Sequence, residues 1–161
     1  MATLSQHPVV LFLSTRNESR SQIAEALLRK QAGDRFTIYS AGLDAGEISP
    51  YTLNVLEEVG ADTSVLKAKD VRPLLGKLDV RYLITVSHST AEKGPTVFPG
   101  AIYYFSWDLA DPEKVPGTGQ DKLAQYRQLR DQIDQRIRDW LDEIANMTSG
   151  KRPAKKVELT R

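Results

Sequence analysis

The chain has 161 residues, 40% hydrophobic and 27% charged, with a net charge of +1, two histidines and no cysteine. That length suits one domain with a sizeable core, and the near-neutral charge gives no bulk argument for a nucleic-acid partner. Missing thiols exclude disulfides, thiolate metal sites and cysteine nucleophiles together, and two histidines exclude a His-rich metal centre.

Residues 9–13, all apolar, read as a fully buried strand that stops at Ser14. The polar stretch STRNESR follows at 14–20, and SQIAEALLRKQ after it has the apolar spacing of a helix. A strand, a tight loop and a helix start gather unpaired amides and the positive end of a dipole, which makes an anion site by backbone geometry. RFTIYSAG reads as a second strand, with Phe36, Ile38 and Tyr39 carrying the β propensity. Ser49 as cap and Pro50 in the first turn open a second helix, striped through Leu53, Val55 or Leu56 and Val59 and closed by Gly60. KDVRPLLGKL reads as a short helix, DVRYLITVS as a third strand, HSTAEKGPTVFPG as a long loop and AIYYFSW as a fourth strand. Trp107, Tyr103 and Tyr104 are assigned to the core or the cleft wall. From 120 to 146, Leu123, Tyr126, Leu129, Ile133, Ile137, Leu141 and Ile144 recur every three or four residues, the stripe of a long amphipathic helix.

Alternating buried strands and helices predict an α/β three-layer sandwich, a four-stranded parallel sheet with helices on both faces. The domain is expected over 1–148. A basic, mobile tail is expected over 149–161, because the last eleven residues carry five Lys/Arg against one Glu. Setting that +4 aside leaves the first 150 residues at −3. No apolar run is long enough to span a bilayer, and MATLSQHPVV lacks the pattern of a signal segment. A cytoplasmic protein with no membrane partner is therefore expected. In parallel sheets ligands gather at the carboxyl ends of the strands. STRNESR, SHSTAEKGP and DLADPE each follow a strand and are predicted to share one rim.

Those three segments, in that order, resemble the low-molecular-weight protein-tyrosine phosphatase superfamily, and more closely its thioredoxin-coupled arsenate reductase branch. YSAG, FPGA and the W-x-L-x-DP pattern before the last helix support the resemblance. The family loop is a cysteine, five residues, then arginine and serine, whose thiolate attacks phosphorus or arsenic. The resemblance implies an oxyanion loop over Ser14, Thr15, Arg16, Asn17, Glu18, Ser19 and Arg20. Arg20 is the bidentate clamp, Asn17 the brace and Asp111 the general acid.

Ser14 stands at the nucleophile's place, and an alcohol is a very poor acid on the scale where water sits at roughly 15.7. The reductase branch also needs a second loop thiol and a resolving pair. Those positions are Ser19, Ser87 and Gly94, so thioredoxin coupling is not expected. Arg16 and Glu18 depart from the family loop as well, Arg16 in place of a glycine that is costly to replace if φ > 0 is required, Glu18 as a carboxylate facing an anion site. Together with Gly94, they favour natural loss of the thiols; the alternative reading is a cysteine-to-serine exchange engineered to make an inert trapping form. The branch is further associated with a monovalent cation, potassium, for which Asn17, Glu25, Ser40 and Asp70 occupy the matching places.

The leading expectation is thus a homologue without thiol chemistry that binds phosphate, an arsenate-like oxyanion or a phosphorylated protein through 14–20. One alternative is a weak phosphatase or arsenate-processing enzyme using Ser14 or water with Asp111 as acid. Another is an interaction module with a vestigial pocket.

Overall fold

The computed structural model describes residues 7–91 and 98–148. Position 94 and the basic tail lie outside these residues. Four strands, β1 (Val9–Ser14), β2 (Thr37–Gly42), β3 (Val80–Thr85) and β4 (Tyr103–Ser106), form one sheet in the order β2-β1-β3-β4. All three pairings are parallel, with Leu11 opposite Tyr39 and Leu83 in the central registers. The α-helices among the described residues are α1 (Arg20–Ala32), α2 (Pro50–Glu58), α3 (His88–Ala91) and α4 (Gly119–Thr148). No helix among the described residues is long and apolar enough to cross a membrane.

One face of the sheet carries most of the core. Val10, Phe12, Ile38, Tyr82, Ile84 and Phe105 pack there against Ile23, Leu27 and Leu28 of α1, Val55 and Leu56 of α2, and Tyr126, Ile133, Ile137 and Trp140 of α4. The opposite layer is thinner. Leu11, Leu13, Ala41 and Leu83 are covered by Val71, Leu74 and Phe98 around a 3-10 turn at Arg72–Leu74, where the sequence predicted a short helix.

Ser49 caps α2 as expected, its Oγ accepting the Tyr51 N–H at 3.2 Å. The buried face of α2 is Thr52, Val55 and Leu56, while Leu53 is only half-buried. Residues 88–91, expected as loop, make the single turn α3 because Thr90 folds back to donate to the Ser87 carbonyl at 3.0 Å. Trp107 is core at 2% exposure and lies 5.6 Å from Phe12, ring centre to ring centre.

Trp140, which the stripe left out, is the hub of the aromatic core, with centroids 5.7, 5.2 and 6.0 Å from Phe36, Tyr82 and Phe105. Its indole Nε1 is buried without an acceptor. Trp140→Ala is expected to lower the unfolding free energy by about 3–5 kcal/mol. Trp140→Phe, which removes the orphaned N–H and keeps a ring, is expected to cost less than half of that. Urea titrations of the two variants check the order.

Arg127 and Arg130 of α4 donate to Glu58 of α2 at 2.7–3.0 Å, which brings the Glu58 pKa down to about 2, the hydrogen bond from Arg127 acting first. A depressed carboxylate pKa stabilises the fold above the unfolded value near 4.5, and that contribution is lost as pH falls towards 2. The gap in denaturation midpoint between wild type and Glu58→Gln is therefore expected to narrow as pH drops through this window.

Candidate oxyanion site

The three loops predicted to share a rim do so. A cavity of about 550 Å³ at the carboxyl ends of the strands is lined by the whole of 14–20, by Ser87 and His88 after β3, and by Asp108, Leu109, Asp111, Glu113 and Lys114 after β4.

The loop's shape is imposed from outside. The N–H groups of Leu43, Asp44, Gly46 and Ser49 donate to the carbonyls of Ser14, Thr15, Arg16 and Glu18 at 3.0, 3.0, 2.9 and 3.1 Å. Across a trans peptide the N–H lies opposite the C=O, and no described peptide is cis. The amides of Thr15, Arg16, Asn17 and Ser19 therefore turn away from 43–49, towards the side of Ser14 Oγ. The Asn17 N–H reaches that oxygen at 2.9 Å. A ring of amides on one side of a loop at a helix start is an anion nest.

Asn17 holds the loop from beneath. It is fully buried, and its φ of 58° is the only positive value among described non-glycine residues. Its Nδ2 donates to Ser21 Oγ and Ser40 Oγ at 2.7 and 3.0 Å. Its Oδ1 accepts from Gln22 Nε2 and from the Lys69 N–H, both at 2.8 Å. One amide thus ties the loop to α1, to β2 and to the segment beside it. Arg16 is not at positive φ, so its side chain carries no backbone strain. Gly42 ends β2 directly under the loop, where a Cβ would lie 2.8 Å from the Arg16 carbonyl carbon and 2.9 Å from the Asn17 nitrogen. That close approach is the physical reason for glycine in YSAG.

Glu18 does not point its charge into the nest. Its Oε2 accepts from Arg16 Nε at 3.0 Å and from the Glu47 N–H at 3.4 Å, against Gly46, where a Cβ would stand 2.0 Å from that oxygen. The two substitutions are a pair, and they lie along the outer edge of the loop. Arg16 also stands 3.7 Å from Asp44.

Arg20 is mostly buried at the cavity wall, its Nη1 donating to the Leu109 carbonyl at 2.9 Å and its Nη2 3.8 Å from Asp111 Oδ2. Burial lowers its pKa, and Asp111 acts in the opposite direction. Asp111 has a second task, accepting the Glu113 N–H at 3.0 Å as cap of a 3-10 turn at Pro112–Lys114. Ser14 Oγ, at 3% exposure, lies 2.7 Å from Ser21 Oγ. Its described partners are this hydroxyl and the Asn17 N–H, neither of which is a base. Ser19 Oγ lies 3.0 Å from the Tyr126 phenol, which donates to Glu113; burial first, then that carboxylate, push the phenol up to about 12. Ser87 bonds Thr90 Oγ1 at 2.7 Å. Ser19 and Ser87, the two described positions that the resemblance matches to redox thiols, are thus buried hydroxyls with hydroxyl partners.

The expected potassium ligands only partly assemble. Ser40 Oγ donates to Glu25 Oε1 at 2.5 Å and accepts from Asn17, so three of the four meet. Asp70 is the exception. It is turned to Arg72, which donates to it from Nε at 2.7 Å and from Nη2 at 2.5 Å, and these bonds hold its carboxyl far below the usual carboxylate range. Lys69, which sequence reasoning missed, brings its ammonium to 3.5 Å from Glu25 Oε1, and Arg29 reaches Oε2 at 2.8 Å. The donor set does not fit a monovalent cation: Asn17 Oδ1 already accepts two hydrogen bonds, and the Glu25 oxygens already face two cations. Among the described residues no group of three or more His, Asp or Glu gathers for a metal.

A model of the low molecular weight phosphotyrosine protein phosphatase family matches residues 9–150. The chain belongs to this family. It is 33% identical over 135 residues to the arsenate reductase of Halalkalibacterium halodurans, covering 83% of this chain and 95% of that protein. The fold superposes on an arsenate reductase in the phosphate-binding state with a TM-score of 0.72, at 23% identity over 85% of this chain and 98% of that one. It also superposes, with a TM-score of 0.68, on a Cys→Ser mutant of the YwlE arginine phosphatase with a phosphorylated active-site serine, at 18% identity over 85% of this chain and 95% of that one.

Asn17→Ala would leave the Lys69 N–H and the Ser40 hydroxyl short of a partner and put a Cβ residue at positive φ without the side chain that holds it there. It is expected to cost at least about 2 kcal/mol of stability, read by urea unfolding.

Proposed function

We propose that this chain is a cytoplasmic arsenate reductase and phosphatase homologue that binds a small tetrahedral oxyanion in the loop 14–20 and does not turn it over. The observation that carries the reading is the outward tethering of four loop carbonyls to 43–49, which turns amides inward over Ser14 while Glu18 is held at the outer edge. Arg20 at the wall supplies the fixed cationic fork that an oxyanion needs. Chemistry stops there because Ser14 has neither a thiol's acidity nor a base among its described partners. The cavity favours inorganic phosphate or arsenate over an aryl phosphate, since no Phe, Tyr or Trp is among its described lining residues.

A second reading, slow phosphorylation of Ser14 itself, is favoured by the YwlE serine mutant, whose active-site serine is phosphorylated. In that step the Ser14 Oγ–P bond forms as the donor's bond to phosphorus breaks. The leaving group takes the proton of Asp111, and the hydroxyl proton passes to solvent.

Calorimetric titration tests the first reading. Phosphate and arsenate are expected to bind one per chain, and Arg20→Ala to weaken both by about 10–100-fold, the loss of a charge-assisted bond worth roughly 1.5–3 kcal/mol. Absence of binding in the wild type would overturn the reading and leave the pocket vestigial. Intact mass after incubation with acetyl phosphate separates the second reading by showing a single phosphoryl adduct that Ser14→Ala lacks.

A further inference from the structure

Behind the loop, on the side away from the cavity, lies a buried carboxylate that the proposed binding does not use. Glu25 is 4% exposed, and both of its carboxylate oxygens have partners within the protein. Its Oε1 accepts from Ser40 Oγ at 2.5 Å and faces Lys69 Nζ at 3.5 Å, and its Oε2 takes Arg29 Nη2 at 2.8 Å. The Lys69 ammonium donates in addition to the Lys67 carbonyl at 2.9 Å, and the Lys69 main-chain N–H holds Asn17 Oδ1. Lys69 therefore fastens the brace with its backbone and neutralises the carboxylate beneath it with its side chain.

We propose that the ammonium of Lys69 does in this chain the work of a bound monovalent cation, so that the order of the loop 14–20 is independent of potassium. An ammonium head and a potassium ion carry the same charge and are similar in size, and both are drawn to a carboxylate, a hydroxyl and a carbonyl oxygen. The oxygens that the ammonium itself meets are Glu25 Oε1, which also accepts from Ser40 Oγ, and the Lys67 carbonyl. A covalently tethered cation holds its place at any salt composition, whereas a free one must be drawn from solution. Partial burial lowers the lysine's pKa, and Glu25 acts in the opposite direction, keeping a counter-charge where the ammonium sits. With Arg29 on the other oxygen, two protein cations face one carboxylate, and a further ion would meet net repulsion. Asp70, the remaining expected ligand, faces Arg72 instead.

The test compares melting temperature in potassium chloride and in choline chloride at equal ionic strength, and then phosphate affinity in the same two salts. The wild type is expected to show no saturable potassium-specific rise in melting temperature and the same phosphate affinity in both. Lys69→Ala opens the space beside Glu25 while keeping the main-chain bond to Asn17. It is expected to melt lower in choline and to regain stability with potassium in a saturable way. Lys69→Arg, which keeps the charge, is expected to stay indifferent to potassium.

A saturable potassium response in the wild type would overturn the proposal, as would a Lys69→Ala protein that ignores potassium. If Lys69→Ala does not fold in choline, its recovery from potassium-containing refolding buffer alone supports the proposal, and its failure in both salts contradicts it. The melting arm needs no anion to bind, so its outcome is separate from that of the oxyanion reading.

Discussion

The structure depends on one side chain, the carboxamide of Asn17. A loop with four carbonyls turned to one side is unfavourable unless something takes up its inner turn. Asn17 does so at positive φ, using both amide hydrogens and both lone pairs of its oxygen on four partners. Through it β1, α1, β2 and the segment before the 3-10 turn are fixed relative to one another. The nest of amides above it is a consequence of that fixation. A polar hub of this kind, fully satisfied in a buried setting, is rigid because every alternative leaves a donor or acceptor unpaired.

The chain has no thiol, and its loop 14–20 is nonetheless held by bonded hydroxyls rather than left open. The three described positions that the resemblance matches to cysteines hold serines whose hydroxyls bond other hydroxyls: Ser14 with Ser21, Ser19 with Tyr126, Ser87 with Thr90. Each of these buried hydroxyls has a partner, which keeps the cost of burying it small. The charges introduced at 16 and 18 are handled in the same way. Arg16 and Glu18 bind each other on the outer edge, and Gly46 leaves room for the pair. Taken singly from the sequence, each residue reads as a threat to anion binding. Taken together in space, they cancel close to the loop without entering the cavity.

Strands, the first two helices and the long last helix were legible because each is apolar along one period, and caps such as Ser49 and breakers such as Gly60 mark their ends. The rim was legible because parallel topology sends the segments after β1, β3 and β4 to one edge. What escaped the sequence depends on contacts between distant residues. Trp140 falls beside the stripe of α4, yet three aromatic rings from α1's far end and two strands reach it. Lys69 reads as one of several surface lysines, and only the bridge from Gly42 to Asp70 brings its neighbourhood under the loop. Asp70 was placed as a ligand by position along the chain, but Arg72, two residues on, takes its carboxylate first. A local partner at hydrogen-bond distance outcompetes a distant one that must be desolvated.

The central claim is that the cradle has survived its nucleophile, and the most direct measurement is the thiol pKa in Ser14→Cys, read from the pH dependence of iodoacetamide alkylation. If the amides and Arg20 still converge on this position, the thiolate is expected to form well below the free value of about 8.5, and phosphate is expected to protect it from alkylation. A thiol that titrates at or above about 8.5, with no protection by phosphate, would contradict the account.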